Sequence, residues 1–205
     1  MSLYYEDEHV TLYHGSCLDI PQWLEADVLI TDPPYGMAYV PKNHDVIVGD
    51  EDAGIRDEIL AMWEGPALVF GTWRVERPKN TRQLIVWAKG NTPGMGDLSM
   101  PWGPSHEEIY VLGEGWEGTR RSNVYNIPTI HGTAHDRPNH PTPKPIGLME
   151  QLLAYAPQGV IADPFAGSGT TLVAASNLGR KAIGCELEER YCEIIVQRLA
   201  AKTLF

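Results

Sequence analysis

Short runs of consecutive apolar residues punctuate the chain, each followed by a turn or by a stretch of helical periodicity. Seven such runs predict strands: His9–His14, Asp27–Thr31, Ala67–Gly71, Gln83–Ala88, Glu107–Leu112, Gly159–Ala162 and Lys181–Cys185. In VLIT, ALVF, LIVW and VIA the apolar residues are contiguous rather than alternating. That pattern suits strands covered on both faces in a mainly parallel sheet. Met149, Leu152, Leu153 and Ala156 share one face of a helix predicted over 145–156, with Pro145 in its first turn. Tyr191, Ile194, Ile195, Arg198 and Leu199 do the same over 188–200, where Glu188 and Glu189 suit the positive end of the helix dipole. The alternation predicts an α/β fold, a doubly wound, mainly parallel seven-stranded sheet.

Composition narrows the class. At 205 residues the chain suits one domain spanning 1–205. Gly- and Pro-rich stretches at 90–104 and 113–145 read as surface loops, and short recognition insertions are expected at about 36–53, 90–104 and 113–139. No apolar run approaches a membrane span, and MSLYYEDEHV is acidic where a signal peptide is cationic then apolar, so a cytoplasmic, unprocessed protein is expected. Cys17, Cys185 and Cys192 are too few for a disulfide framework and fit a reducing compartment. The formal charge of −11 excludes a uniformly basic nucleic-acid binder. The whole excess sits in residues 1–60, with 13 acidic side chains against Lys42 and Arg56. Over 65–145 there are 9 basic and 7 acidic residues, so this region can meet a partner bearing phosphates.

In doubly wound sheets ligands bind beyond the carboxyl ends of the strands, and two of those ends carry chemistry. After VIA comes Asp163-Pro164-Phe165-Ala166-Gly167-Ser168-Gly169-Thr170-Thr171, then a small-residue helix. The glycines permit a tight turn and close backbone approach, and the helix start offers free N–H groups. No Lys follows them, which excludes a Walker-type phosphate loop. About 20 residues on, Glu186 stands where an acidic residue takes a ribose hydroxyl pair, indicating an adenosine-type ligand. After VLIT comes Asp32-Pro33-Pro34-Tyr35. The prolines fix the backbone and remove two donors. A carboxylate, a fixed carbonyl and an aromatic ring suit a planar base with an exocyclic amine. Either segment alone also reads as a rigid or packing turn; the pair argues for chemistry.

With these segments in hand, the chain resembles the DNA amino-methyltransferases, S-adenosylmethionine-dependent enzymes that methylate an exocyclic amine of adenine or cytosine and are found in restriction-modification. DPPY resembles their catalytic motif, DPFAGSGTT their cofactor motif, and HPTPKP (His140–Pro145) the motif closing over the methionine part of the cofactor. VFGTW, IVWAKG, HEEIYVLGEG and NVYNIP resemble the intervening segments, and the order resembles the β group. The resemblance implies a circularly permuted methyltransferase fold and a site-specific adenine-N6 DNA methyltransferase. It assigns the target amine to Asp32 and the Pro33 carbonyl, beside Pro34, with Tyr35 stacking on the flipped base. It places Asp163, Phe165, Ala166, Gly167, Ser168, Gly169 and Thr170 around the cofactor, along with Asp32. Glu186 takes its ribose, and Thr142 with Lys144 its carboxylate. Where the family usually has Asp behind the Gly corresponding to Gly15, this chain has Ser16, so the cofactor's adenine contact falls to Ser16, the Cys17 backbone or Asp19.

DNA is the implied partner, with a homodimer left open and no membrane. Candidate phosphate contacts are Arg74, Arg77, Lys79, Arg82, Arg120, Arg121 and Arg137, each of which alone also reads as ordinary solvated charge. His131, His135 and His140 lack a cysteine or carboxylate at ligand spacing, and no metal is expected. Carbon-5 cytosine methylation needs a thiolate that its family places in a Pro-Cys pair; none of the three cysteines follows a proline. The competing readings are cytosine-N4 methylation, whose enzymes more often carry Ser in place of Asp32; glutamine methylation, which typically shows NPPY after the glycine motif; and a non-catalytic binding relative.

Overall fold

The computed structural model describes residues 2–35, 54–90, 94, 97–130 and 143–202. Nine strands lie in one sheet: β1 (Ser2–Glu6), β2 (Val10–His14), β3 (Val28–Thr31), β4 (Ala67–Gly71), β5 (Gln83–Ala88), β6 (His106–Leu112), β7 (Val124–Asn126), β8 (Ile161–Asp163) and β9 (Ala182–Glu186). All seven predicted strands are present. The two additional ones, β1 and β7, are the outermost strands, where partly exposed side chains leave no contiguous apolar run. The order is β1-β2-β9-β8-β3-β4-β6-β5-β7. Five neighbouring pairs are parallel; β6 runs against β4 and β5, and β1 against β2.

Four α-helices accompany the sheet: α1 (Gly54–Met62), α2 (Ile146–Leu153), α3 (Thr170–Asn177) and α4 (Glu189–Lys202). The spacing predicts α2 and α4; charged Arg56, Asp57 and Glu58 obscure the apolar positions of α1. Both faces of the sheet are covered, as contiguous apolar runs require. Val28, Ile30, Leu68, Phe70 and Ile109 pack with Leu148, Leu172 and Ile195 of α2, α3 and α4. Alternate residues Leu29, Ala67, Val69 and Tyr110 pack on the other side with Ile59 of α1 and with Ile20 and Trp23 around two short 3-10 turns. Burying each such aliphatic side chain contributes about 1.5–3 kcal/mol. No helix among the described residues is long and apolar enough to cross a membrane.

The pairing divides the sheet into two rims. β2, β9, β8, β3 and β4 all end at one, here the C-terminal rim, while antiparallel β6 begins there with His106. β5 and β7 also end there, so the β5–β6 connection belongs to this rim.

Candidate active site

At the C-terminal rim lies a cavity of about 380 Å³, within the roughly 300–1,000 Å³ usual for small-ligand sites. One wall is Asp32–Tyr35, following β3; the other is built from Asp163–Ser168, Thr170, Thr171 and Glu186. Parallel pairing of β3 with β8 sets these distant segments side by side, and the Thr31 hydroxyl donates to Asp163 Oδ1 at 2.8 Å.

On the glycine side, Gly167 adopts φ 51° and turns the backbone at the cavity surface. Its N–H donates to Glu186 Oε2 at 2.7 Å, while the Glu188 N–H donates to Oε1 at 2.8 Å. Two fixed donors therefore hold the Glu186 carboxylate, leaving further lone pairs to accept from a ligand. Burial outweighs these bonds and pushes Glu186 up to about 7. Burial likewise raises Asp163 to about 6, against hydrogen bonds from Thr171, Thr31 and the Phe165 N–H. Arg198, on the inward face of α4, donates to the Ser168 carbonyl and lies 3.3 Å from Thr170 Oγ1. It pins the turn from behind.

In the turn after β3, Asp32 accepts a hydrogen bond from the Tyr35 hydroxyl on Oδ1 and pairs with Lys144 Nζ through Oδ2. Lys144 also lies 3.3 Å from Glu107 Oε2, and Glu107 Oε1 pairs with Lys89 at 2.5 Å. The result is an unbroken chain, Tyr35–Asp32–Lys144–Glu107–Lys89. Burial alone would lower the Lys144 pKa, but Asp32 and Glu107 outweigh it and hold the ammonium above its ordinary value. Burial alone would raise Glu107, yet Lys144 and Lys89 keep it below the usual carboxylate range. Both stay charged. Tyr35, pushed well up by burial and then by Asp32, stays a neutral donor.

Of the sequence-predicted cofactor residues, Ser16, Cys17, Asp32, Lys144, Asp163, Phe165, Ala166, Gly167, Ser168, Thr170 and Glu186 line this cavity. Two do not. Asp19 is exposed at the end of the 3-10 turn Cys17–Asp19 and does not line the cavity, whereas Ser16 and Cys17 do. Gly169 is the N-cap of α3 with φ 75°, and a Cβ there would come 2.6 Å from Ile195 of α4. It serves helix packing instead of lining the cavity. Thr142 and Arg137 lie outside the described residues, as do His131, His135 and the whole of 36–53.

The candidate DNA contacts are not brought together. Arg74 follows β4 at the C-terminal rim, exposed and 5.3 Å from the centre of the Trp73 ring. Arg77 is bound bidentately by Glu108, at 3.0 and 2.6 Å. Arg82 opens β5 at the far rim, its guanidinium donating to the Gly113 carbonyl at 2.8 Å. Lys79 lies beside Arg82 around a second cavity bordered by Gly65 and Leu112, also at the far rim. Arg120 and Arg121 lie between the end of β6 and the start of β7, both at that rim, and Arg121 stacks 3.1 Å over Tyr155. Clustering along the sequence misplaced them because the chain crosses the sheet between Arg74 and Arg82. Exposed Leu98, Met100 and Trp102, in the β5–β6 connection, accompany Trp73 at the C-terminal rim.

Sequence reasoning missed Glu107 and Arg198. The signal for Glu107 was available: consecutive Glu107 and Glu108 open a strand, so one of them must face each side of the sheet. Glu108 meets Arg77 and Tyr110, and Glu107 the lysines of the site. All three cysteines are free and buried. Burial pushes Cys17 up to about 11 and Cys192 up to about 12, and raises Cys185 further. None is a ready thiolate nucleophile.

The sequence profile of the DNA methylase family, covering the N6 and N4 methyltransferases, matches residues 47–197. A putative methylase, YubD of Escherichia coli K12, is 32% identical over 189 residues, covering 85% of this chain and 82% of its own. The DNA adenine methyltransferase YhdJ of the same organism is 37% identical over 79 residues, 38% of this chain and 27% of its own. Among solved structures, an M1.HpyAVI–SAM complex superposes with TM-score 0.65 at 21% identity, over 93% of this chain and 98% of that one. The cytosine-N4-specific PvuII DNA methyltransferase superposes with TM-score 0.65 at 14% identity, over 97% and 95%. At these identities both structures speak for the fold.

Proposed function

The chain belongs to the DNA methylase family, and from that membership we propose that it transfers a methyl group from S-adenosylmethionine to the N6 amine of an adenine turned out of a DNA duplex. One observation carries the reading: the Asp32-Pro33-Pro34-Tyr35 turn and the glycine turn with Glu186 line one cavity. The cofactor fits that cavity by chemistry. Glu186 offers carboxylate lone pairs to ribose hydroxyls, Gly167 lets the backbone approach, and Asp32 and Asp163 set acidic groups near a sulfonium. When bound, the cofactor would supply the methyl group on its sulfonium.

The amine of adenine is a weak nucleophile because its lone pair is delocalised into the ring. Asp32 and the Pro33 carbonyl would accept its two N–H bonds, favour a tetrahedral nitrogen and stabilise the positive charge that grows on it. Tyr35 would release Asp32 and stack on the extruded base, helping offset the cost of unpairing. Direct transfer needs no covalent enzyme intermediate, consistent with the buried thiols. Asp32, in place of the Ser more frequent in cytosine-N4 enzymes, favours adenine, and YhdJ is named as an adenine enzyme. We read residues 1–205 as one catalytic domain, with Arg74 and the exposed apolar side chains of the C-terminal rim toward the duplex.

Incubation of the purified chain with methyl-tritiated cofactor and unmethylated bacterial genomic DNA tests this. Wild type should label the DNA, and Asp32→Ala should lose at least about 100-fold of that rate, comparable with removing one preorganised hydrogen-bonding group. Equal labelling by both, or by neither, would overturn it.

A further inference from the structure

In this structure both oxygens of Asp32 are engaged by the chain's own donors, the Tyr35 hydroxyl and the Lys144 ammonium. Release of Tyr35 opens Oδ1 to an amine, but while Lys144 stays on Oδ2 its charge offsets the negative charge that is to stabilise the growing positive charge on the amine. Lys144 is itself buried and charged and cannot be left without a carboxylate. Such a carboxylate already stands beside it. Glu107 Oε2 lies 3.3 Å from Lys144 Nζ, and its second oxygen is anchored by Lys89 at 2.5 Å. Glu107 faces the cavity from the first residues of β6, its side chain only 17% exposed. The Phe70 ring, 5.0 Å from Lys144 Nζ, gives the ammonium an apolar and cation-binding floor along that short path.

We propose that Glu107 is a positioning residue that receives Lys144 from Asp32 when the target base enters, with Lys89 holding Glu107 in place for the exchange. The inference rests on the function proposed above, in which Asp32 binds the target amine. Lys144 and the target amine then compete for the negative charge of Asp32. Glu107 decides between them by giving the ammonium a second seat of similar strength. Replacing it with Gln leaves Asp32 as the one carboxylate on Lys144, so the lysine competes with the base. Replacing Lys144 as well removes the competitor, and the identity of residue 107 ceases to matter for the base.

The test is a double-mutant cycle on single-turnover methyl transfer to unmethylated bacterial genomic DNA, using wild type, Glu107→Gln, Lys144→Met and the double variant, with enzyme in excess so that slow variants are measurable. Circular dichroism reports that each variant is folded, and calorimetry gives the S-adenosylmethionine affinity of Glu107→Gln. Glu107→Gln should slow transfer at least about 10-fold and raise the DNA concentration needed for half-maximal rate, with cofactor affinity within about 2-fold of wild type. In the Lys144→Met background the same substitution should change the rate less than about 2-fold. Glu107→Asp, which keeps the charge, should recover most of the loss. An equal loss in both backgrounds would mean that Glu107 only supports the fold, and a Glu107→Gln variant as fast as wild type would remove the switch altogether. Absence of transfer by wild type would instead overturn the function itself, so the two failures are told apart.

Discussion

Glu186 shows how one residue links cofactor recognition to stability. Its carboxyl sits at about 7 in the folded protein against an ordinary 4.5, chiefly through burial. A shift of that size corresponds to a cost of about 3 kcal/mol for the ionised form. Because the folded pKa lies above the unfolded one, the protein binds the extra proton between those values. Its stabilising share is therefore complete below about 4.5 and fades as pH rises through about 7. Asp163, raised to about 6, acts in the same direction. Thermal unfolding of the ligand-free chain should thus show a lower midpoint at pH 8 than at pH 5, and Glu186→Gln should flatten that slope. An unchanged slope in the variant would dissociate Glu186 from it. The residues most legible in the sequence are those whose type and spacing are rare, Asp32-Pro33-Pro34-Tyr35 and the turn leading to Glu186. Glu107 was legible only as one of two consecutive acidic residues that must face opposite sides of a strand, and Arg198 not at all, since an Arg on a helix reads as ordinary solvated charge until the fold shows what it meets.

At the level of elements, close approach decides which substitutions the site tolerates. Gly169 combines a left-handed backbone with contact against α4, so Gly169→Ala should destabilise by about 1–3 kcal/mol, from strain and overpacking together. Chemical denaturation would measure this, and a shift under half a kilocalorie would show that α4 yields freely. Arg180 works at the far rim, just before β9. Its guanidinium reaches the carbonyls of Leu153, Ala156, Pro157 and Gly159 at the end of α2 and the turn after it. The Leu153 carbonyl also accepts from the Ala156 N–H at 3.2 Å, and one cation serves all four carbonyls together. Arg180→Ala should cost about 2–4 kcal/mol by orphaning several acceptors at once, read from the same denaturation curves. The seven strands with contiguous apolar runs were legible because burial on both faces writes itself as an unbroken pattern. β1 and β7 were not: one face of each is open, and β7 is three residues long. Nothing in local propensity marks such strands before a neighbour pairs with them.

For the whole molecule, the antiparallel placement of β6 matters most. It carries Glu107 to the rim where the parallel strands end, and it sends the chain back with Arg120 and Arg121 to the far rim, where Arg82 precedes β5. The basic excess of residues 65–145 is consequently divided between two rims rather than gathered on one binding face. DNA affinity should fall on Arg74→Ala, with a shallower dependence on salt by about one unit of log–log slope. Arg121→Ala, whose guanidinium is stacked on Tyr155 away from the cavity, should leave both unchanged. Fluorescence anisotropy across a salt series would read the two variants together, and equal losses would place the duplex across both rims. Charge along the sequence gave no hint of this division, because topology alone decides at which rim a residue emerges.

The most direct test of the account is mass spectrometry of nucleosides from DNA methylated by the purified chain. It predicts N6-methyl-2′-deoxyadenosine as the new product, absent when Asp32 is replaced by Ala. N4-methyl-2′-deoxycytidine alone, or no modified nucleoside from a folded, cofactor-binding preparation, would contradict it.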